Sequence, residues 1–263
     1  MLLISALTAC IKRNFTEFTD TPIIESYLRP GDYLNIKVSR QTPYSTDVKY
    51  SDDNIDLLNI KVLYNNKTYT LTPLGEGNYI DSALIVKEGE TYNLSFTFNS
   101  KNVTAYTQIP IKPLNFKQSA NSIYVTRISS TSGMPAFGPG SMPEPISLTW
   151  NNADESYYIV IIENMEATLD PIRDFGDAAP PGNRFRKMPT TSSGLQLRPQ
   201  EFQYFGKHRL VLYHVLPDYA SLYSEKTTSS QNLTNPSTSI MNGYGIFTGL
   251  NSDTLYLNVN ENK

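Results

Sequence analysis

The sequence is poor in the residues on which much enzyme chemistry depends. Its 263 residues include one cysteine, so the chain can form no internal disulfide and no cysteine-based zinc site. There are two histidines and one tryptophan. Charged residues make up 18%, against roughly 25% in an average soluble protein. A net charge of −3 leaves no basic field to hold nucleic acid. Beyond the opening residues no apolar run approaches the ~18 residues that a spanning helix needs. Ser, Thr, Asn and 18 tyrosines fill the space instead. Such a neutral, polar composition suits a binding or scaffold protein outside the cytoplasm.

The lone cysteine stands in "MLLISALTACIKRNF". Leu7-Thr8-Ala9-Cys10 has the form of a lipobox, an apolar residue and two small ones before the thiol. Small side chains let a lipoprotein signal peptidase reach the cut, and the free Cys10 sulfur takes the diacylglyceryl group. Each buried CH₂ then adds about 0.8 kcal/mol of membrane affinity. The polar, aperiodic "IKRNFTEFTDTP" that follows reads as a tether, so residues 1–21 are expected to be a signal remnant and tether.

From Pro22 the chain is short extended runs separated by turn residues. In "YLNIKVSRQ", Leu34, Ile36 and Val38 alternate with Asn35, Lys37 and Ser39, the period of a strand with one wet face. "LLNIKVLY", "KTYTLTPL", "GNYIDSALIV", "ETYNLSFTF" and "VTAYTQIP" continue the pattern, with Asn65-Asn66 and "GEGN" as hairpin turns. This spacing predicts an immunoglobulin-like sandwich over 22–110. After a linker over 111–122, a second sandwich is predicted over 123–263, fibronectin-III-like, with long loops. Its strands are "SIYVTRIS", "PISLTWNN", "SYYIVIIEN", "GLQLRP", "GKHRLVLYHVL", "YGIFTGL" and "DTLYLNV". Trp150 reads as a core anchor, and "LPDYASLYSEK" as the one short helix, with Pro217-Asp218 in its first turn. The fold class is therefore all-β, as two β-sandwich domains.

The search for chemistry finds little. His208 and His214 share a strand and a face, but six residues hold them about 20 Å apart, too far to chelate one metal. They read as a pair capping the apolar row Leu210/Leu212. The spacings of Asp170, Asp174 and Asp177 miss the calcium-loop pattern. No G-x-S-x-G elbow occurs. No cofactor and no metal is expected. Three long loops interrupt the second half, and loops of that length are uncommon without function or disorder. Met134, Phe137 and Met142 in the first and Phe175 in the second are apolar side chains among Gly and Pro, and they are candidates for contact with a partner.

The order of several segments is familiar. "IIESYLRPGDYLNIKVSRQTP", "GNYIDSALIVKEGETYNLSF" and "VTAYTQIP" resemble an outer-membrane lipoprotein family of Bacteroidota, domain of unknown function 4249. "ISLTWNNADESYYIVIIEN", "YFGKHRLVLYHVLPDYASLY" and "SIMNGYGIFTG" resemble its later blocks. The resemblance runs from Pro22 to Leu257 and is most specific at Asn242-Gly243-Tyr244-Gly245-Ile246-Phe247. It implies an anchored lipoprotein encoded near TonB-dependent receptors, with no activity assigned. The resemblance leads one to expect the cell surface, but Lys12-Arg13 stand where such lipoproteins carry acidic residues for surface export, and this departure leaves the periplasmic face open. The expected function is that of a non-enzymatic accessory protein, held to the outer membrane and docking on an outer-membrane β-barrel such as a TonB-dependent transporter. A glycan- or small-ligand-binding surface module is the alternative, and a hydrolase the third reading.

Overall fold

The computed structural model describes residues 18–42, 49–128, 144–174, 176, 180–224 and 238–262. The fold is all-β with one short helix, as the alternating pattern predicts. The first half supplies β1 (Pro22–Leu28), β2 (Tyr33–Arg40), β3 (Lys61–Tyr64), β4 (Lys67–Thr70), β5 (Thr72–Gly75), β6 (Asn78–Ile85), β7 (Thr91–Phe98) and β8 (Lys101–Gln108). Every second residue of β2 and β7 is buried, as period 2 requires of a sheet with one wet face. Asn65-Asn66 and Asn99-Ser100 turn tight hairpins with positive φ at both central positions, the twist that matches right-handed strands.

β4, β3, β7 and β8 form one antiparallel sheet. It faces β1, β2, β6 and β5 across a core that includes Ile24, Leu34, Ile36, Val62, Tyr92, Leu94 and Phe96. Tyr79 anchors this core by its hydroxyl, which accepts the Leu58 N–H at 2.9 Å.

The second half supplies β9 (Lys117–Gln118), β10 (Ser122–Val125), β11 (Ile146–Thr149), β12 (Tyr157–Asn164), β13 (Arg184–Arg186), β14 (Gly194–Leu197) and β15 (Gly206–Val215). α1 (Pro217–Ser224) and β16 (Tyr244–Glu261) follow. The small sheet β14-β11-β9 packs on the large one through a second core around Trp150, Tyr158, Ile162, Leu210, Leu212 and Leu257.

β16 unites the halves. "YGIFTGL" and "DTLYLNV", read as two strands, form one strand of 18 residues. Its start runs parallel to β1, from Ile23↔Tyr244 to Leu28↔Gly249. From Leu250 to Val259 it is antiparallel to β15, and its end pairs with β10. The large sheet is thus continuous through both halves. The polar run Asn251-Ser252-Asp253 makes no turn, and the side chains of Asn251 and Asp253 are engaged along the extended strand. The Asn251 amide donates to the Pro110 carbonyl and the Glu88 carboxylate, each at 3.0 Å. Gly245, at φ +95°, lies so close to β1 that a Cβ there would stand 2.0 Å from the Ile24 carbonyl oxygen. At ~3.3 Å per residue, β16 measures up to about 60 Å from end to end.

Candidate functional site

Leu7, Thr8, Ala9 and Cys10 lie outside the described residues, as do Met134, Phe137, Met142 and Phe175. The structure does define the places from which these segments depart. At one end of β16 the chain enters the fold through Asp20, which is 3% exposed. Its carboxylate accepts hydrogen bonds from the Arg40 guanidinium and from the Ser51 amide and hydroxyl, both of the latter at 2.8 Å. The Asn99 amide donates to the Asp20 carbonyl at 3.4 Å. Arg40 also donates to the Asp53 carbonyl and lies 5.3 Å from the ring centres of Tyr50 and Phe98. These bonds fasten the chain two residues before β1 begins.

At the other end of β16 the stems of the two Gly/Pro-rich loops meet. The Ile128 N–H donates to the Ile172 carbonyl at 2.8 Å, and the Asp174 N–H returns to the Ile128 carbonyl at 3.2 Å. Arg127 braces the junction. It donates in pairs to Asp170, at 2.8 and 2.9 Å, and to Glu261 at the end of β16, also at 2.8 and 2.9 Å. It stacks 4.6 Å from the Phe205 ring centre as well. The hydrogen bonds from Arg127 hold the Asp170 carboxyl below its ordinary pKa, and those to Asp170 and Glu261 push the guanidinium up. The segments carrying Met134, Phe137, Met142 and Phe175 therefore leave from one corner of the fold.

The histidines occupy the places that alternation gives them. His208 is 3% exposed, its Nδ1 donates to the Gly206 carbonyl at 3.0 Å, and burial lowers its pKa. The ring of His214 stacks on Tyr158 at 4.7 Å, and its Nδ1 donates to the Ile111 carbonyl at 2.9 Å. Trp150 is buried between Phe116 and Tyr158, a core anchor as its position in β11's wake suggests. Among the described residues no group of three or more His, Cys, Asp or Glu could hold a metal ion. Also among them, no helix is long and apolar enough to cross a membrane.

Two of the clefts that open on the described surface are larger than the one between α1 and the start of β16. A cleft of 570 Å³ beside the chain entry is walled by Phe18, Asp20, Tyr50, Asp52, Asp53 and Asn99. The other, 480 Å³, lies over β1 and β2 against Glu25, Tyr27, Arg29, Asp32 and Lys37. Their described linings combine carboxylates, amides and cations suited to holding polar groups. The roles of Asp20 and Arg127 escape sequence reading because each depends on partners far along the chain. The nearest signal was an Asp two residues before a strand-opening Pro.

No curated protein matches the sequence. Among solved structures, a Salmonella alpha-2-macroglobulin mutant aligns with 92% of this chain at 8% identity. The TM-score is 0.28, too low to bear on fold or function, and this chain spans 15% of that protein's length. A family profile described as a domain of unknown function matches residues 11–255, from just after Cys10 to near the end of β16. The chain belongs to that family, DUF4249.

Proposed function

We propose that this is a lipid-anchored, non-enzymatic accessory protein of a bacterial outer membrane. It docks on a membrane β-barrel, such as a TonB-dependent transporter, through the paired loops of its second half. The observation that carries this reading is the placement of two features at opposite ends of β16. The tether that follows Cys10 joins the fold at Asp20, beside the start of the strand. The stems of the loops bearing Met134, Phe137, Met142 and Phe175 are bonded together beside its end. An anchored chain would so present adaptable Met and Phe side chains well away from its own attachment point.

The reading is tested in two steps. Cys10→Ser should move the protein from the membrane pellet to the soluble fraction and abolish labelling by a palmitate analogue. Purification from mildly solubilised outer membranes should then recover a β-barrel with the wild-type chain. Loss of that β-barrel on joint replacement of Met134, Phe137 and Met142 by Ser is the expected result. Recovery of the lipoprotein alone would overturn the docking claim while leaving the anchor intact.

A further inference from the structure

The outer face of the large sheet, turned away from the second core, is covered unevenly. α1 lies over its apolar part, where Ile159, Ile161, Val215 and Leu250 pack with Ala220. Further along the strands the outward side chains are of another kind. Register places Arg184, Glu163, Arg209 and Tyr256 in one row across β13, β12, β15 and β16. Lys207 and Asn258 pair in the next row. Alternate residues Phe185, Ile162, Leu210 and Leu257 turn inward to the second core, so the row faces solvent.

This face is cationic on a chain whose net charge is −3. Arg184, Arg186, Lys207 and Arg209 stand against Glu163, with Glu166 at the rim accepting the Lys207 N–H at 2.8 Å. Arg209 is committed to Glu163 and Arg186 lies 3.8 Å from the Tyr223 ring centre. Arg184 is exposed and holds no ion pair among the described residues. The Lys207 ammonium sits 4.4 Å from the ring centre of Tyr256. Tyr256 and Tyr124, on adjacent strands, are 50% and 55% exposed.

We propose that this face binds an acidic polysaccharide. The row spans three inter-strand steps, ~14 Å in all, the scale of a short run of sugar rings. Arg184 and Lys207 would meet sugar carboxylates. The amide of Asn258 would serve hydroxyls between them, and the rings of Tyr256 and Tyr124 would receive the apolar faces of the sugars. The apolar part of the sheet is already under α1, so the open part offers charge, amides and rings rather than a greasy groove for peptide side chains.

The test is affinity electrophoresis of the full chain in gels containing polygalacturonate or neutral dextran. Polygalacturonate should retard the protein at least tenfold more strongly than dextran, with the effect shrinking between 20 and 200 mM salt. Arg184→Gln with Lys207→Gln, and separately Tyr256→Ala, should each weaken retention at least fivefold with unchanged circular dichroism. Equal retardation by dextran, or full retention by the double variant, would overturn the proposal. So would vesicles containing phosphatidylglycerol that bind with the same dependence on Arg184 and Lys207, because the face would then belong to a bilayer.

Discussion

At Asp20 a carboxylate with almost no exposure gathers three donors, one of them the guanidinium of Arg40. Removing one partner of a buried pair strands the other charge, which costs about 3–5 kcal/mol in well-buried cases. Arg40 keeps 22% side-chain exposure, so the lower end applies. Asp20→Ala is expected to cost about 3 kcal/mol in urea unfolding, and Asp20→Asn less, because an amide still accepts from Ser51. A second residue sets a pH response. Burial depresses the folded pKa of His208 below its unfolded value, near 6.5. The unfolded chain therefore binds the proton more tightly, and this site's stability is full above that value. It declines as pH falls from about 6.5 toward the folded pKa. Urea midpoints at pH 7.5 and 5.5 should show the decline, and His208→Gln should flatten it.

Strands were legible where the information is local. The alternation of Leu34, Ile36 and Val38 marks β2, the Asn65-Asn66 pair marks the β3–β4 hairpin, and Pro217-Asp218 marks the start of α1. In sequence β16 reads as two pieces because Asn251-Ser252-Asp253 has the composition of a turn. What keeps it extended is bonding to Glu88 and Pro110, some 140 residues and more away along the chain. Its parallel pairing with β1 leaves no periodic trace at all, since it joins the two ends of the sequence. The cationic face was illegible for the same reason. Arg184, Glu163, Arg209 and Tyr256 lie on four strands, and only register aligns them. The element-level prediction concerns Gly245. A methyl group there collides with the Ile24 carbonyl at a backbone conformation L-residues avoid. Gly245→Ala should lower stability by about 3 kcal/mol or more, read by thermal unfolding, whereas alanine at Gly182, where nothing lies within 4 Å and φ is not positive, should cost far less.

On the scale of the whole molecule, the two main cores share one strand. Phe247 belongs to the first core, while Leu257 and Val259 of the same strand close the second. Bonds also cross directly between the halves. The Gly249 N–H donates to the Thr107 hydroxyl at 2.8 Å, and His214 reaches the Ile111 carbonyl. Calorimetry should therefore give a single transition rather than two. A fragment ending at Ser119, though it contains all eight strands of the first half, should show the circular dichroism of an unfolded chain. Two resolved transitions, or a folded fragment, would contradict this coupling.

The place of β16 in chain order carries a consequence for biogenesis. Because the strand that completes both hydrophobic interiors follows every other described strand in chain order, neither can close until Tyr244–Glu261 has left the ribosome. The nascent polypeptide would remain threadable through a narrow translocation pore until then, and a premature stop codon upstream of Tyr244 would yield two unfinished bodies instead of one sound half.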